Sequence, residues 1–413
     1  MKAGWTTKPL SEVCTFKPQK SEARAKLTSE DEVSFVPMEN LGIGSKELTL
    51  TGTRSLAEVA GSYTYFAEGD VLLAKITPCF ENGKLGIARN LVNGVGFGSS
   101  EYIVIRPSPE VDADFLYHFL DRATFREEGA KQMTGAVGHK RVPKEYVEGA
   151  LIPVPTIEEQ RRIVTLLDEA FADIATAKTN AGKNLQNARG LFASRMQTLF
   201  DEDQRWERVQ LEELLSRGWI ESHLDGNHGS DYPRKEEFVA SGVPYIAARA
   251  LRGWEVDFSE AKYLTHERAA TIRKGLAQDG DVLFAHNATV GPVGILKTNE
   301  PFVILGTSLT YYRCNENFIL PEYLAHFMRS PTFVEQYSQV MKQSTRNQVP
   351  ITKQREFFHV IPPLSIQQKI ANDLDSLSEQ IELLESIYRQ KLTALDDLKK
   401  SLLYQAFSRQ LTQ

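Results

Sequence analysis

Two stretches of the chain gather cations with no carboxylate among them. GAKQMTGAVGHKRVPK, residues 129–144, carries Lys131, Lys140, Arg141 and Lys144. MKQSTRNQVPITKQR, residues 341–355, carries Lys342, Arg346, Lys353 and Arg355. Lysine and arginine neutralise phosphates, hydroxyls and backbone N–H groups add positioning contacts, and Asn, Gln and Arg can reach base edges in bidentate fashion. The same stretches supply Thr134, Ser344, Thr345, Asn347 and Gln348. In a chain of formal net charge −6, two acid-free basic loops point to a polyanionic ligand; a pair of ordinary solvated turns is the plain alternative.

A second pair of candidates is AKITPCFENGKLG at 74–86, with Lys75 and Lys84, and AHNATVGPVG at 285–294, with His286, Asn287 and Thr289. Glycine there would let the backbone approach a phosphate, and a simple hairpin connection explains the same residues equally well. Tyr245, Arg249 and Trp254 are further candidates, although aromatics beside strands are usually core.

Catalytic chemistry finds little support. The chain has no Asn/Asp-Pro-Pro-Tyr motif to hold a flipped adenine and no GxxxxGK[ST] loop for ATP. Gly42-Ile-Gly44 and Gly94-Val-Gly96 fall short of GxGxxG, and Glu260-Ala-Lys262 lacks the Pro-Asp partner of a nuclease site. His118 and His326 have no evident general-base partner and read as helix-packing histidines. Cys14, Cys79 and Cys314 form neither a disulfide framework nor a zinc knuckle. We therefore assign no catalytic, cofactor-binding or metal-ligating residue.

The elements that must carry the basic loops occur twice. FLYHFLDRATF at 115–125 matches YLAHFMRSPTF at 323–333, and FAEGDVLLAKI at 66–76 matches LAQDGDVLFAHN at 276–287. FGSSEYIVIRP at 97–107 matches LGTSLTYYRCN at 305–315, and RVP at 141–143 matches QVP at 348–350. VPTIEEQRRIV at 154–164 is answered by IPPLSIQQKIA at 361–371. The matches keep their order, a little over two hundred residues apart, which implies tandem duplication of a whole domain. Within each copy, short β-branched and aromatic runs read as strands. Residues 113–132 and 321–341 read as helices closing each domain.

Proline then ends the extended segment at Pro155 and at Pro362–Pro363, and a long helical period begins. In the second copy the seam is Ile370, Leu374, Leu377, Ile381, Leu384, Tyr388, Lys391, Leu395, Leu398 and Leu402. In the first it is Ile163, Leu167, Ala170, Ile174, Ala177, Ala181, Asn184, Ala188 and Leu191, richer in alanine. Steps alternating four and three are a coiled-coil signal, and an alanine-rich seam suits a leucine-rich one. A leucine stripe on a lone helix would face water, so antiparallel packing of the two helices is expected. The fold class is thus α+β: a mixed α/β domain plus a long helix, duplicated, with the helices packed as an antiparallel coiled coil. The expected divisions are a first domain at 1–155, a first helix at 156–200, a second domain at 201–362 and a second helix at 363–410.

A length of 413 residues fits two or three domains, and 41% apolar with 25% charged residues fits a soluble globular protein. No apolar run approaches 18 residues and no hydrophobic signal segment opens the chain, so a cytoplasmic, non-membrane protein is expected. Two sibling domains held apart by helices would work as a ruler. Residues 370–402 rise roughly 50 Å, enough to span about fifteen base pairs of duplex DNA.

With these residues in place, the chain resembles the DNA-specificity (S) subunit of type I restriction–modification systems over essentially its whole length. The most specific matches are Pro155, Ile157, Gln160 and Ile163, and Pro362, Leu364, Gln367 and Ile370, with GDVL at 69–72 and 280–283. The second copy departs by carrying Ile366 where the first has Glu159. The resemblance implies two target-recognition domains, each reading one half of a bipartite site in double-stranded DNA. It also implies helices that set the gap and dock two methyltransferase subunits, with restriction/translocase subunits completing the complex. S-adenosylmethionine, ATP and magnesium would sit on those partners and not on this non-catalytic chain. Gln160, Ile163, Leu167, Ile174, Gln367, Ile370, Leu374, Leu377, Ile381, Leu384, Leu395, Leu398 and Leu402 would form the helical interface. A coiled-coil adaptor that binds only proteins is the alternative, and its basic loops would be dispensable for DNA binding.

Overall fold

The computed structural model describes residues 5–201, 206–226, 232–343 and 347–408. It divides into two compact units, Met1–Ala181 with Arg389–Gln413, and Gly182–Tyr388, so each unit takes a part of both long helices.

In the first unit the strands are β1 (Thr6–Pro9), β2 (Cys14–Phe16), β3 (Glu32–Val36), β4 (Thr53–Ser55), β5 (Thr64–Ala67), β6 (Val71–Ala74), β7 (Leu85–Ile87), β8 (Val95–Gly98), β9 (Tyr102–Pro107) and β10 (Leu151–Val154). Helices α1 (Ala113–Leu120) and α2 (Ala123–Lys131) precede the long helix α3 (Ile157–Asp201). One antiparallel sheet runs β2-β9-β6-β7; a second runs β4-β3-β8-β5, with β3 and β8 parallel; β1 pairs with β10. The run VLLA has no polar alternation because β6 is covered on both faces. Val71 and Leu73 join Ile103, Ile105, Phe115 and Phe119 against the helices. Leu72 and Ala74 join Tyr102 and Val104 against Val36 and Phe66 of the other sheet. That second sheet turns Val33, Tyr65, Val95 and Phe97 to a further small core.

The second unit repeats the plan. Its strands are β11 (Glu207–Gln210), β12 (Ile220–Asp225), β13 (Phe238–Val239), β14 (Val243–Ile246), β15 (Leu251–Arg252), β16 (Glu255–Val256), β17 (Lys262–Leu264), β18 (Leu276–Ala277), β19 (Val282–Asn287), β20 (Thr289–Ile295), β21 (Val303–Leu305), β22 (Leu309–Cys314) and β23 (Phe358–Ile361). The helices are α4 (Pro321–Arg329), α5 (Pro331–Lys342) and α6 (Leu364–Phe407). Sheet β12-β22-β19-β20 answers β2-β9-β6-β7, and β11 with β23 answers β1 with β10. Sheet β13-β17-β14-β21-β18 keeps the parallel pair, here β14 with β21.

The repeated GDVL is a structural device. Gly69 and Gly280 take φ of 86° and 83°, a region that favours glycine. The next residue, Asp70 or Asp281, is buried and grips an arginine of the neighbouring strand with both oxygens. Arg106 donates at 2.6 and 2.8 Å, and Arg313 at 2.9 and 2.8 Å.

Each closing segment expected as one helix is two. In the second unit Pro331 opens α5; it has no N–H and holds Ser330 extended, and the Ser330 hydroxyl accepts from Phe333 N. In the first, Arg122 is extended and its Nε donates to Phe119 O at 2.8 Å, closing off α1. His118 and His326 are packing residues as expected. Each is buried with Nε2 2.8 Å from a carboxylate of a long helix, Asp168 and Asp375 respectively.

Gln160 and Gln367 are corrected from interface positions to internal clamps. Both are fully buried in their own unit. Gln160 accepts from Asp112 N at 2.8 Å and donates to Glu110 O and Pro155 O at 2.8 and 2.9 Å. Gln367 accepts from Leu320 N at 2.9 Å and donates to Phe318 O and Pro362 O, both at 2.8 Å. The glutamine five residues after the proline therefore pins the start of the long helix to the segment entering α1 or α4.

The helical seam is also revised. Ile163, Leu167, Ile174, Ile370, Leu374 and Ile381 are buried, and Leu377, Leu395 and Leu402 half-buried. Leu191, Leu384 and Leu398 are exposed, at 61%, 40% and 47%. The covered line passes instead through Phe192 and Met196 in α3 and through Leu392 and Lys399 in α6. A strict heptad drifts against the 3.6-residue turn, so a register set at one end of a long helix misplaces residues further on. In the first unit Ile163 and Leu167 share a core with Leu403, Ala406 and Phe407, Lys178 pairs with Asp396, and Lys399 lies 4.9 Å from the Phe171 ring. In the second, Met196 and Phe200 share a core with Ile370 and Leu374, and Arg189 pairs with Glu385 at 2.6 Å.

Candidate nucleic-acid interface

The two candidate loops of each unit come together. In the first, Ile76 bridges to Arg141, Thr77 N donates to Lys140 O at 2.9 Å and Val142 N to Lys75 O at 2.9 Å. In the second, Asn287 bridges to Gln348, Ala288 N donates to Asn347 O at 3.0 Å and Asn347 Nδ2 to Ala288 O at 2.6 Å. Sequence reading treated these as separate loops; the fold makes each pair one ridge at the same place in both copies. The segment 285–294 is the tight β19–β20 hairpin, turning at Ala288 with φ 62°.

The ridge of the first unit exposes Lys131, Thr134, Lys140, Arg141 and Lys144, with Thr134 and Arg141 bonded back to back. The 129–144 loop lacks acids, but the partner loop carries Glu81, which accepts from Thr77 Oγ1 at 2.8 Å, and the surroundings add more. Arg141 forks onto Glu101 at 2.8 Å through both Nε and Nη2, which holds the Glu101 carboxyl below its usual range, and Lys144 pairs with Glu148. Lys84 Nζ donates to Met38 O at 2.7 Å and Lys75 Nζ to Ser100 O at 2.9 Å. In the second unit Lys342 and Asn347 are exposed, Lys353 pairs with Glu356 at 2.9 Å, and Arg355 with Glu212 at 3.2 Å. Ser344, Thr345 and Arg346 lie outside the described residues. Absence of acid along a stretch of sequence was thus not absence of acid in space.

His286 is corrected from a surface candidate to a core residue. It is 3% exposed, and its Nδ1 lies 3.0 Å from Val349 O. Trp254 is also a packing residue, with Arg329 stacked 3.5 Å over its ring and its Nε1 donating to Ser378 Oγ at 3.3 Å.

Sequence reading missed a basic cleft in the first unit. A cavity of about 760 Å³ is lined by Lys17, Lys20, Arg24, Lys75 and Lys144, together with Tyr63 and Tyr65. No carboxylate is among its lining residues. Lys20 Nζ donates to Ala60 O and Gly61 O at 3.1 and 2.8 Å. Its pKa is lowered, first by burial and then by repulsion from Arg24 and Lys17, as expected where like charges crowd. The signal was present in KPQKSEARAK at 17–26, where four cations meet one glutamate. Five cations around a concave surface with aromatic and hydroxyl neighbours suit a phosphate backbone.

Among the described residues no group of three or more His, Cys, Asp or Glu side chains is placed to hold a metal ion, and no helix is long and apolar enough to cross a membrane.

The plan is an α/β domain followed by a long helix, built twice, with the same two loops joined in each copy, and this is the architecture of a DNA-specificity family. The chain belongs to the family described as "Type I restriction modification DNA specificity domain", whose model matches residues 2–183 and 205–393. It is 32% identical over 228 residues to the type I restriction enzyme EcoAI specificity subunit of Escherichia coli, covering 54% of this chain and 36% of that protein. It is 39% identical over 163 residues to the EcoEI specificity subunit of Escherichia coli, covering 39% of this chain and 27% of that protein. These matches thus span about a third of the relatives' own length. The fold is shared with the HsdS subunit from Thermoanaerobacter tengcongensis, at TM-score 0.66, 17% identity, and 100% and 98% coverage. It is also shared with a chain from a structure describing complex assembly and conformational transition of the type I R-M system, at TM-score 0.79, 19% identity and 98% coverage of both.

Proposed function

We propose that the chain is the sequence-reading subunit of a type I restriction–modification complex. Each unit binds one half of a bipartite target in double-stranded DNA. The two long helices pack as an antiparallel coiled coil that fixes the gap between half-sites and docks two methyltransferase subunits. Restriction/translocase subunits complete the complex, and S-adenosylmethionine, ATP and magnesium act on those partners. This chain supplies recognition and no catalytic group, and works in the cytoplasm. The antiparallel reading rests on side-chain pairing within each unit, where residues advancing along α3 meet residues receding along α6.

The observation that carries the proposal is the ridge built twice from the same two loops, Ile76 to Arg141 in one copy and Asn287 to Gln348 in the other. A protein-only adaptor does not require cations there. Gel shifts of the purified complex over a salt series test it. Removing Lys17, Lys131 and Lys140 together as alanines should weaken DNA binding and flatten the slope of log K against log salt by about 0.9 for each phosphate left without its cation. Arg141→Ala should do less, because Glu101 already holds that guanidinium. Unchanged affinity and slope in the triple variant would favour the adaptor.

A further inference from the structure

A pair of clefts occupies the same place in both units, apart from the basic ridge. In each, the strand of the parallel pair that precedes the site runs into a single 3-10 turn: Met38–Asn40 after β3, and Ala248–Ala250 after β14. The flanking residues are matched by burial. Val36 and Leu41 sit in one core with Leu72, and Ile246 and Leu251 sit in its counterpart with Leu283. The middle residue of the turn is therefore equivalent in the two copies, Glu39 in the first and Arg249 in the second. The cleft in the first unit, about 490 Å³, is lined by Phe35, Pro37, Glu39 and Ser99. That in the second, about 170 Å³, is lined by the corresponding Tyr245, Ala247, Arg249 and Thr307.

The floor beneath these side chains is fixed. A Cβ on Gly98 would lie 2.2 Å from Val36 O, and one on Gly306 would lie 2.8 Å from the Tyr245 hydroxyl and 3.3 Å from Ile246 O. Tyr102 OH donates to Pro37 O at 2.9 Å, Gly306 N to Ile246 O at 2.7 Å, and Ala248 N to Ser308 Oγ at 2.9 Å. The rim is free to vary. Glu39 is exposed, and no hydrogen bond or ion pair holds it among the described residues. Arg249 is exposed; it donates to Glu260 O at a long 3.3 Å and pairs loosely with the Glu260 carboxylate at 3.7 Å, and that carboxylate has a closer cation in Arg252 at 2.9 Å. Arg249 can therefore leave without stranding a carboxylate. Each rim also offers a neighbouring cation stacked on an aromatic ring: Arg54 at 4.1 Å from the Phe35 centroid, and Lys262 at 4.5 Å from that of Phe238.

A rigid frame repeated in both copies, with opposite charge at the middle position of its turn, is what two readers of different half-sites require. Resting on the DNA-reading role above, we propose that the twin clefts are the base-reading positions and that Glu39 and Arg249 determine specificity. Arg249 grips O6 and N7 of a guanine, and Glu39 accepts from the amino group of a cytosine, each in the major groove. Opposite charge at one position makes the two half-sites unlike in sequence.

The test uses the full chain with its partner subunits in a host free of other adenine methylation, and maps methylated sites across the genome. Arg249→Ala should relax one guanine position of one half-site at least about fivefold, leaving the other half-site unchanged. Arg249→Gln should shift that position toward adenine. Glu39→Ala and Glu39→Gln should each relax one cytosine position of the other half-site. The assignment is overturned if the alanine variants keep the wild-type preference at every position. It is equally overturned if preference falls evenly at all positions, or if neither variant of a residue supports methylation, since both mark a role in the frame. A wild-type complex that yields no bipartite motif refutes the underlying DNA-reading role, and this assignment with it.

Discussion

Gln160 and Gln367 each satisfy three backbone groups from a fully buried side chain. Truncation leaves an N–H and two carbonyls without this partner, and of these bonds the one to the proline carbonyl is buried, where an unmet group costs about 1–3 kcal/mol. Gln160→Ala should therefore cost about 1–3 kcal/mol, read as a fall in melting temperature; a melt within a degree of wild type would contradict the clamp. Buried histidines give a second expectation. Burial lowers the pKa of His223 to about 3 and of His359 to about 4, and lowers His118 and His326 in the same direction. A depressed folded-state pKa stabilises above the unfolded value of about 6.5, and that stabilisation is lost as pH falls toward the folded value. At pH 5, His223 and His359 should each have cost about 2 kcal/mol. Melts from pH 7.5 to 5 should show stability falling below about pH 6.5; a flat profile would show these side chains taking up protons at no cost.

At the scale of elements, buried and exposed positions along α6 separate two roles for leucine. Leu374 is fully buried in the core of the second unit, whereas Leu384 and Leu398 are exposed. Leu374→Ala should destabilise the chain by about 2–5 kcal/mol, and Leu384→Ala by under about 1 kcal/mol, measured by denaturant unfolding. Equal destabilisation would restore the register read from sequence. The Asp70–Arg106 and Asp281–Arg313 forks tie adjacent strands of the central sheets, and Asp281→Ala should cost about 1.5–3 kcal/mol, because part-buried Arg313 then loses two charge-assisted hydrogen bonds. Much of this was legible beforehand. The strand runs, the long helices and their starts near Pro155 and Pro362–Pro363 follow from local pattern, and so did His118 and His326 as packing residues. What pattern could not supply is what lies across space: Glu101 on Arg141, Val349 over His286, backbone carbonyls around Gln160. Those partners come from distant stretches, so a loop read alone looks more basic and more open than it is. The cleft of Lys17, Lys20 and Arg24 was missed because its cations straddle a turn and a short helix, with no repeat of them in the second copy to draw notice.

For the molecule as a whole, duplication supplied two frames and divergence supplied two surfaces. β2-β9-β6-β7 and β12-β22-β19-β20 share order and pairing sense, while the residues on the rims differ. Under the proposed coiled-coil spacing, helix length and target gap are linked. One heptad added to both long helices lengthens each by about 10.5 Å, or about three base pairs. The unread gap in the methylated motif should grow accordingly, and an unchanged gap would remove the helices from the spacing role. The central claim is that each of two sibling units reads its own half-site. Methylome sequencing of cells carrying the complete system measures it most directly. The account predicts one motif made of two specified blocks, unlike in sequence and separated by unspecified bases. A single uninterrupted block, or methylation without sequence preference, would contradict it.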